Sequence, residues 1–305
     1  MPLNSVNTNI GAQVALQSLN TTATQLQATQ KRISTGYRVA DATDDGAAFA
    51  VAQRVRSDVS ALTAVNQQLG NAKGLVGTSL SGLTSISNSL TEAKGLLVQI
   101  GDASISQDQR DQYVASYKTL VVRVANTVDG STYNGQTLLG SAAGAVAGTD
   151  KTVINNESGA TSLLHNADSS GLANTLATLI GSTFSRTAGG VDTFGAIAAG
   201  ADQSSASTAL TATSGATAFV TAQKGVSNQL NQTGADSKFL EATITFNSSK
   251  VDSLNAGLGA LVDTDLSKES AQLQALQIRQ QLGTQALSLA NQAPQSLLSL
   301  FKEPA

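Results

Sequence analysis

Two acidic pairs are the side chains in this sequence that could carry hydrolytic or metal chemistry. Asp44 and Asp45 are adjacent, and Asp263 and Asp265 lie two residues apart near the other end of the chain. Paired carboxylates can act as acid and base in glycoside hydrolysis. Each pair, however, lies at a predicted helix boundary, where a capping carboxylate stabilises the helix by about 0.5 to 2 kcal/mol. We therefore interpret both pairs as helix caps, with Asp44 or Asp45 capping a long helix.

Other catalytic or metal-binding arrangements lack support. Asp41, Asp44 and Asp45 share one loop, but that loop has neither the ligand spacing nor the final glutamate of a calcium-binding EF-hand. The chain has one histidine, His165, and no cysteine, so a histidine-based triad or a two-histidine zinc site cannot form within one chain. Phosphate-loop, dinucleotide, nucleophile-elbow and zinc-peptidase motifs do not occur. We expect no cofactor, no metal and no enzyme activity, and a surface position for His165.

The composition favours an elongated, self-packing helical protein. Charged residues are 13% of the chain and aromatic residues 4%, with a net charge of -3 that excludes a strongly basic nucleic-acid surface. The three prolines are Pro2, Pro294 and Pro304, so helices between them can run unbroken. No apolar run is long enough to cross a membrane, and the first residues lack the basic and apolar regions of a cleaved signal peptide.

Residues 51–100 show the strongest periodicity in the chain. Apolar or small residues recur there at alternating spacings of four and three, which predicts a long helix that winds around partner helices. We call its central positions the shaft seam: Leu62, Leu69, Val76, Leu83, Leu90 and Leu97.

Both chain ends carry shorter amphipathic helices. Their apolar positions are Leu16, Leu19, Leu26 and Ile33 at one end and Leu273, Leu276, Leu282 and Leu289 at the other. Such narrow stripes nucleate poorly alone, so we expect these helices to fold only when a partner covers them. A break rich in glycine and aspartate, including Gly36, Asp44, Asp45 and Gly46, follows the first helix, with Gly36 as its C-cap. A similar break at residues 262–270 precedes the last helix.

The remaining pattern completes a symmetric plan. A helix is predicted at about 109–128, folded back antiparallel on the long helix and capped by Ser106 or Asp108, and helical sequence resumes at about Ala206. Between them, the Gly/Ala/Ser/Thr-rich segment 141–200 could hold a strand at 151–155 and a short helix at 172–180. The fold class is thus mainly α: an antiparallel helical bundle or coiled coil made by both ends, with a small β or irregular insertion that should tolerate replacement.

Both ends resemble bacterial flagellins, in a form similar to alphaproteobacterial ones. Leu3 to Asn20 read LNSVNTNIGAQVALQSLN, Gln30 to Val55 read QKRISTGYRVADATDDGAAFAVAQRV, and Gln277 to Phe301 read QIRQQLGTQALSLANQAPQSLLSLF. The first resembles the family's Asn-Thr-Asn start, the second its arginine- and aspartate-containing hinge, and the third its C-terminal tail. The resemblance covers about the first 140 and last 100 residues.

The resemblance implies a structural subunit that polymerises into the flagellar filament. Residues 1–40 and 264–305 would pair as the inner core, 41–140 and 201–263 would form the shaft, and 141–200 would be a variable exposed region. It also implies export through the flagellar type III channel and contacts with an export chaperone, the filament cap and hook–filament junction proteins. Alternatives are a junction protein, a chemoreceptor-like signalling rod, disfavoured by sparse Glu/Lys pairs and the absent membrane anchor, and a filament-borne enzyme.

The resemblance also bears on recognition by the flagellin-sensing Toll-like receptor. Flagellins that activate it present Leu-Gln-Arg-Val-Arg-Glu-Leu, where this chain has LTEAKGL at Leu90 to Leu96. Glu92 reverses the charge of the key arginine, Gly95 removes the glutamate, and Lys94 keeps one positive charge. A reversed charge at a desolvated contact costs several kcal/mol. We expect weak or absent recognition, with Leu90 and Leu96 as the retained positions.

Overall fold

The computed structural model describes residues 9–142, 150–166, 182–186, 191–196, 200–211 and 218–300. They fall into two compact units, one made of residues up to Val59 and from Asp252 onward, the other of Ser60–Val251. The helices are α1 (Ile10–Thr35), α2 (Gly46–Gly101), α3 (Gln107–Gly130), α4 (Ala201–Thr211), α5 (Ala218–Val262) and α6 (Leu266–Leu300). The strands are β1 (Lys151–Ile154), β2 (Thr161–Leu164), β3 (Phe184–Arg186) and β4 (Asp192–Phe194). The described part of the chain is mainly α-helical, as predicted.

Local side-chain chemistry sets the helix ends. The Asn9 side chain accepts from the Ala12 amide at the start of α1, and Gly36 ends that helix in the left-handed conformation, with φ 73°. The Asp45 carboxylate accepts from the first amides of α2 and is therefore its cap. Ser106 and Gln109 form a reciprocal capping box at α3.

The shaft seam lies in the core of the second unit. All six of its residues are buried, and all except Leu62 belong to two apolar clusters that also contain residues of α3 and α5, including Tyr117, Val124, Phe219 and Leu240. Ser79 is a polar residue within the apolar pattern. Its hydroxyl donates to the Leu75 carbonyl oxygen, so this buried hydroxyl has a hydrogen-bond partner. The predicted period therefore describes the packed face of α2 in this unit.

The seam does not extend unchanged to the start of α2. Val51, which the pattern places on the packed face, is exposed, whereas its neighbour Ala52 is fully buried. Val51 belongs to the first compact unit, whereas Leu62 to Leu97 belong to the second, so the pattern spans two packing environments. The prediction that Val51 lies on the packed face was wrong.

The turn between α2 and α3 is held by one buried guanidinium. Arg110, 5% exposed, donates from Nη1 to the carbonyl oxygen of Ile100 and from Nη2 to that of Asp102, the latter at 2.8 Å. These carbonyls lie in or just after the last turn of α2, where carbonyl oxygens have no intrahelical partner. Arg110 thus caps α2 and directs α3 back along it, antiparallel as predicted.

The central segment contributes two hairpins to the second unit. β1 pairs with β2 and β3 pairs with β4, both antiparallel. Val153 and Leu164 are buried in the cluster that contains Leu69 and Leu240, and Phe184 is buried in the larger cluster. The expectation that this segment offers little apolar area does not hold for the hairpins. Its tolerance of replacement stays a prediction. The strand predicted at 151–155 is present, whereas the helix predicted at 172–180 lies outside the described residues.

Candidate assembly surfaces at the two chain ends

Helices α1 and α6 pair antiparallel through two matching heptad seams. Three contacts give their register: Asn9 Nδ2 donates to the Ala290 carbonyl oxygen at 2.7 Å, Leu19 lies against Gly283, and Arg32 pairs with Glu269 at 3.4 Å. The seam positions, all buried or half-buried, are Ala12, Ala15, Leu19, Thr22, Leu26, Thr29 and Ile33 on α1, and Glu269, Leu273, Leu276, Gln280, Gly283, Leu287 and Ala290 on α6. Both sets follow the alternating spacing of an antiparallel coiled coil.

The leucines predicted to stabilise the terminal helices fall into two groups, one covered in the α1–α6 seam and one exposed. Leu19, Leu26, Ile33, Leu273 and Leu276 lie in the α1–α6 seam, whereas Leu16 is exposed beside it. Leu282 and Leu289 are 58% and 70% exposed and lie outside the buried positions of the seam. Grouping all the leucines of α6 in one stripe was therefore wrong, because Gln280 and Gly283 occupy the seam positions nearest to Leu282.

Helix α6 consequently has two apolar faces. Ile278, Leu282 and Leu289 are all more than half exposed and follow their own heptad spacing, together with Ala271, Ala275 and Gln285. This second stripe is offset from the covered seam by two residues, or roughly 200° around the helix. We call it the outer stripe of α6. An apolar stripe on the side of the helix away from α1 remains available for another partner.

The two breaks in the helical pattern pair with each other. Arg38 and Val39 donate their amides to the Val262 carbonyl oxygen at 2.7 and 3.3 Å, and Thr264 donates to that of Gly36 at 3.0 Å. Tyr37 and Asp263 form an antiparallel bridge. We call residues 36–46 together with 262–265 the clasp. It joins the C-terminal end of α1 to the N-terminal end of α6 through backbone hydrogen bonds, which sequence periodicity cannot show.

An ion cluster stabilises the clasp. Lys31 Nζ lies 2.6 Å from Asp41 Oδ2 and 3.0 Å from Asp44 Oδ2. The hydrogen bond from Lys31 lowers the pKa of Asp41 well below its usual range, with Thr43 adding to the effect, and Lys31 lowers the pKa of Asp44 in the same way. The two carboxylates raise the pKa of Lys31. Asp41 and Asp44 are therefore anchors for Lys31, whereas Asp45 is the helix cap.

The other candidate residues have structural roles. The Asp265 carboxylate accepts from the Ser267 and Lys268 amides and caps α6, as expected for an acidic residue before a helix. Gly46 is open to solvent at the start of α2. Among the described residues, no group of three histidine or acidic side chains is placed to hold a metal ion, and no helix is long and apolar enough to cross a membrane.

His165 has an acidic neighbour that sequence analysis missed. Its ring is partly exposed, but its Nδ1 lies 3.3 Å from both carboxylate oxygens of Asp236 on α5, and its amide donates to Asp236 Oδ2 at 2.9 Å. The contact joins residues 71 positions apart. It attaches the β1–β2 hairpin to α5. With one histidine and no nucleophile in the contact, it provides an anchor rather than a catalytic triad.

The segment equivalent to the receptor patch lies on α2. Leu90 is buried and Leu96 is half-buried, so both belong to the packing of the unit. Glu92 pairs with Arg123 of α3 at 3.1 Å, and Lys94 is exposed. Gly95 lies in a shallow groove of about 490 Å³ between α2 and α3, where an added side chain would meet open space.

Comparison with known families assigns both chain ends. Residues 6–143 match the bacterial flagellin N-terminal helical region, and residues 217–301 match the bacterial flagellin C-terminal helical region. Flagellin FljO of Caulobacter vibrioides is 33% identical over 303 residues, covering 99% of this chain and 100% of that protein. A flagellin of Brucella melitensis is 33% identical over 98% of this chain and 99% of its own, and flagellin C of Rhizobium meliloti is 30% identical over 99% and 100%.

Proposed function

The chain belongs to the bacterial flagellins, the structural subunits of the flagellar filament, and we propose that its two ends form the inner core of that polymer. In this arrangement residues 1–40 and 264–305 make the inner core of the filament. Residues 41–140 and 201–263 make the surrounding shaft, and 141–200 lie toward the filament surface. The paired seams of α1 and α6 and the clasp that follows them support the first of these assignments.

The outer stripe of α6 is the observation that carries the proposal. A helix with apolar residues on two opposite sides is stable in water only when both sides are covered. Helix α1 covers one side, and Ile278, Leu282 and Leu289 leave the other exposed. In a homopolymer the neighbouring subunit supplies the second cover. Because the stripe then meets a different surface of the neighbour, the contact is head-to-tail and continues as a helical filament.

Polymerisation and ordering of the ends are coupled in this scheme. The α1–α6 seam contains Thr22, Thr29 and Gln280 among its leucines and alanines, so it buries less apolar area than an all-leucine seam. Most of the stability of a helix in a protein comes from the packing of its apolar face, so limited burial leaves these two helices weakly stabilised on their own. The proposal therefore assigns much of the stability of the two ends to contacts between subunits.

The cellular role follows the family pattern. We propose that the chain leaves the cell through the flagellar type III channel, binds an export chaperone on its way, and adds to the filament beneath the cap and beyond the junction proteins at the hook. Its role is structural, with no enzyme activity. Pulse-labelled export in cells with and without the type III export apparatus tests the route; export that continues without the apparatus would contradict it.

Receptor recognition is proposed to be weak. Glu92 is paired with Arg123, so it presents an acidic group where an activating flagellin presents an arginine, and Gly95 offers no side chain at all. A receptor reporter assay on the monomer, beside the variant with Glu92→Arg and Gly95→Glu, tests this point. Strong signalling by the unaltered chain would contradict it.

Seeded polymerisation tests the function as a whole. Purified chain added to short filament seeds should elongate them into long tubes of constant diameter, visible by electron microscopy. Removal of residues 271–305 should leave a soluble protein that does not elongate the seeds, because α1 then loses its partner. Normal filaments from the truncated chain would refute the proposed role of the C-terminal helix.

A further inference from the structure

The carbonyl oxygen of Ala290 in α6 lacks its usual helical partner. In an α-helix that oxygen accepts from the backbone N–H four residues later, which for Ala290 is residue 294. Residue 294 is proline, which has no N–H, and α6 runs through it to Leu300. A proline in a helix interior costs about 3 kcal/mol, in part because this hydrogen bond is lost. The carbonyl oxygen of Ala290 therefore needs a donor from outside α6.

The side chain of Asn9 supplies that donor. Its Nδ2 donates to the Ala290 carbonyl oxygen at 2.7 Å, although the two residues are 281 positions apart. Gly11 lies beside this contact, because a Cβ atom added at Gly11 would be 3.9 Å from Ala290 Cβ. The start of α1 thus gives α6 the hydrogen bond that its own proline cannot give.

Asn9 uses both ends of its amide. Its Oδ1 accepts from the Ala12 amide at 3.0 Å and caps α1, while its Nδ2 donates to Ala290. Serine and aspartate cap helices about as well as asparagine. A serine hydroxyl has only one polar atom, however, and an ionised carboxylate has no donor, so neither side chain can fill both roles. Helix capping alone does not explain an asparagine at this position, whereas the two contacts together do.

The contact distinguishes one register of α1 and α6 from the next. The seam repeats every seven residues, so a shift of one heptad would again bring apolar and small positions together. In one direction that shift places Asn9 opposite Gly283, whose carbonyl oxygen keeps a helical partner because residue 287 is leucine. Ala290 is the only residue of α6 that lies four positions before a proline. The donor of Asn9 therefore satisfies an unpaired carbonyl in the observed register and not in the shifted one.

We infer that Asn9 and Pro294 act together as a register pin that joins the two ends of the chain. The inference rests on the proposed function, because a regular filament core needs α1 and α6 of every subunit to pair in the same register. Pro294 weakens α6 as an isolated helix, and pairing with α1 removes part of that penalty. Helix α6 is consequently disfavoured before pairing and stabilised by pairing in the observed register.

A double-mutant cycle tests the register pin. Asn9→Ser keeps a capping side chain but removes the donor to Ala290. Pro294→Ala returns an N–H to α6, so that the Ala290 carbonyl oxygen no longer needs Asn9. Amide hydrogen exchange of α1 in filaments is measured for the unaltered chain, each single variant and the double variant. Asn9→Ser should lower the protection of α1 roughly fivefold or more in the unaltered background, and less than about twofold in the Pro294→Ala background.

Pro304→Ala is the matched control for the proline substitution. Pro304 follows α6 in the sequence, so replacing it cannot return an N–H to the Ala290 carbonyl oxygen. Asn9→Ser should therefore lower the protection of α1 by the same factor with and without Pro304→Ala.

Two results would overturn the inference. Equal effects of Asn9→Ser with and without Pro294→Ala would show that Asn9 acts only as the cap of α1. Unprotected α1 amides in filaments of the unaltered chain would show that the pairing does not form. Absence of filaments from the unaltered chain would instead contradict the proposed function. The cycle would then be measured on the monomer, where unprotected α1 amides or equal effects would again overturn the register pin.

Discussion

Leu19 packs directly over Gly283, so that a Cβ atom added at Gly283 would lie 3.2 Å from Leu19 Cδ1. This contact between residues near opposite ends of the chain sets the spacing of α1 and α6. A glycine in a helix interior costs about 1 kcal/mol relative to alanine. Here the missing side chain allows the two helices to approach each other.

The first prediction concerns this contact. Gly283→Val should weaken α1–α6 pairing by roughly 1 to 3 kcal/mol, because the branched side chain overlaps Leu19. Amide hydrogen exchange in assembled filaments measures the loss as reduced protection of α1. Gly257→Val is the matched control, since Gly257 is also a helical glycine but faces open space. Equal protection in the two variants would contradict the packing described.

The second prediction concerns pH and the clasp. Lys31 lowers the pKa of Asp41 and Asp44, so these carboxylates contribute stability above their unfolded pKa of about 4, and that stability is lost as pH falls toward their folded pKa. The raised pKa of Lys31 implies stability that is present below about pH 10 and lost above it.

Lys31→Met tests the clasp directly. It should lower the melting temperature of the filament at pH 6 to 8 and reduce the loss of stability between about pH 4 and pH 2. Lys31→Arg retains the charge and should behave like the unaltered chain. Parallel pH profiles for the unaltered chain and Lys31→Met would show that the ion cluster contributes nothing to stability.

The third prediction concerns the β1–β2 hairpin. Leu164→Ala should destabilise the second unit by about 2 to 5 kcal/mol, because Leu164 is 1% exposed within the cluster around Leu69 and Leu240. Thr152→Ala on the outward face should change stability by less than about 0.5 kcal/mol. Urea unfolding of the monomer measures both. A small effect of Leu164→Ala would restore the view that the centre of the chain can be replaced freely.

The spacing of apolar residues and the positions of helix-ending residues predicted much of the fold. Leu62 to Leu97 lie in the core because a long 4-3 pattern without proline leaves few alternatives to a packed helix. Gly36 and Ser106 cap helices because their local chemistry satisfies backbone groups without help from distant residues. Caps of this kind can be predicted from the sequence because they depend on neighbouring residues only.

The unpredicted features depend on distant contacts or on helix phase. The clasp joins Gly36 to Thr264, and the hairpin anchor joins His165 to Asp236, so neither has a local signature. On α6, hydrophobicity alone predicted that Leu282 and Leu289 lie in the covered seam, whereas Gln280 and Gly283 occupy the seam positions there. Hydrophobicity identifies apolar stripes on a helix, but it cannot say which stripe meets which partner.

The outer stripe of α6 offers the most direct test of the account. Leu282→Asn with Leu289→Asn should leave the monomer's circular dichroism spectrum and the shaft unchanged, because both side chains are exposed in the single chain. The critical concentration for growth from seeds should rise at least about tenfold, since each subunit loses two buried leucines. Gln277→Asn with Gln281→Asn, at exposed positions on the same helix, should polymerise normally. Normal filaments from the leucine variant would contradict the claim that this stripe joins subunits.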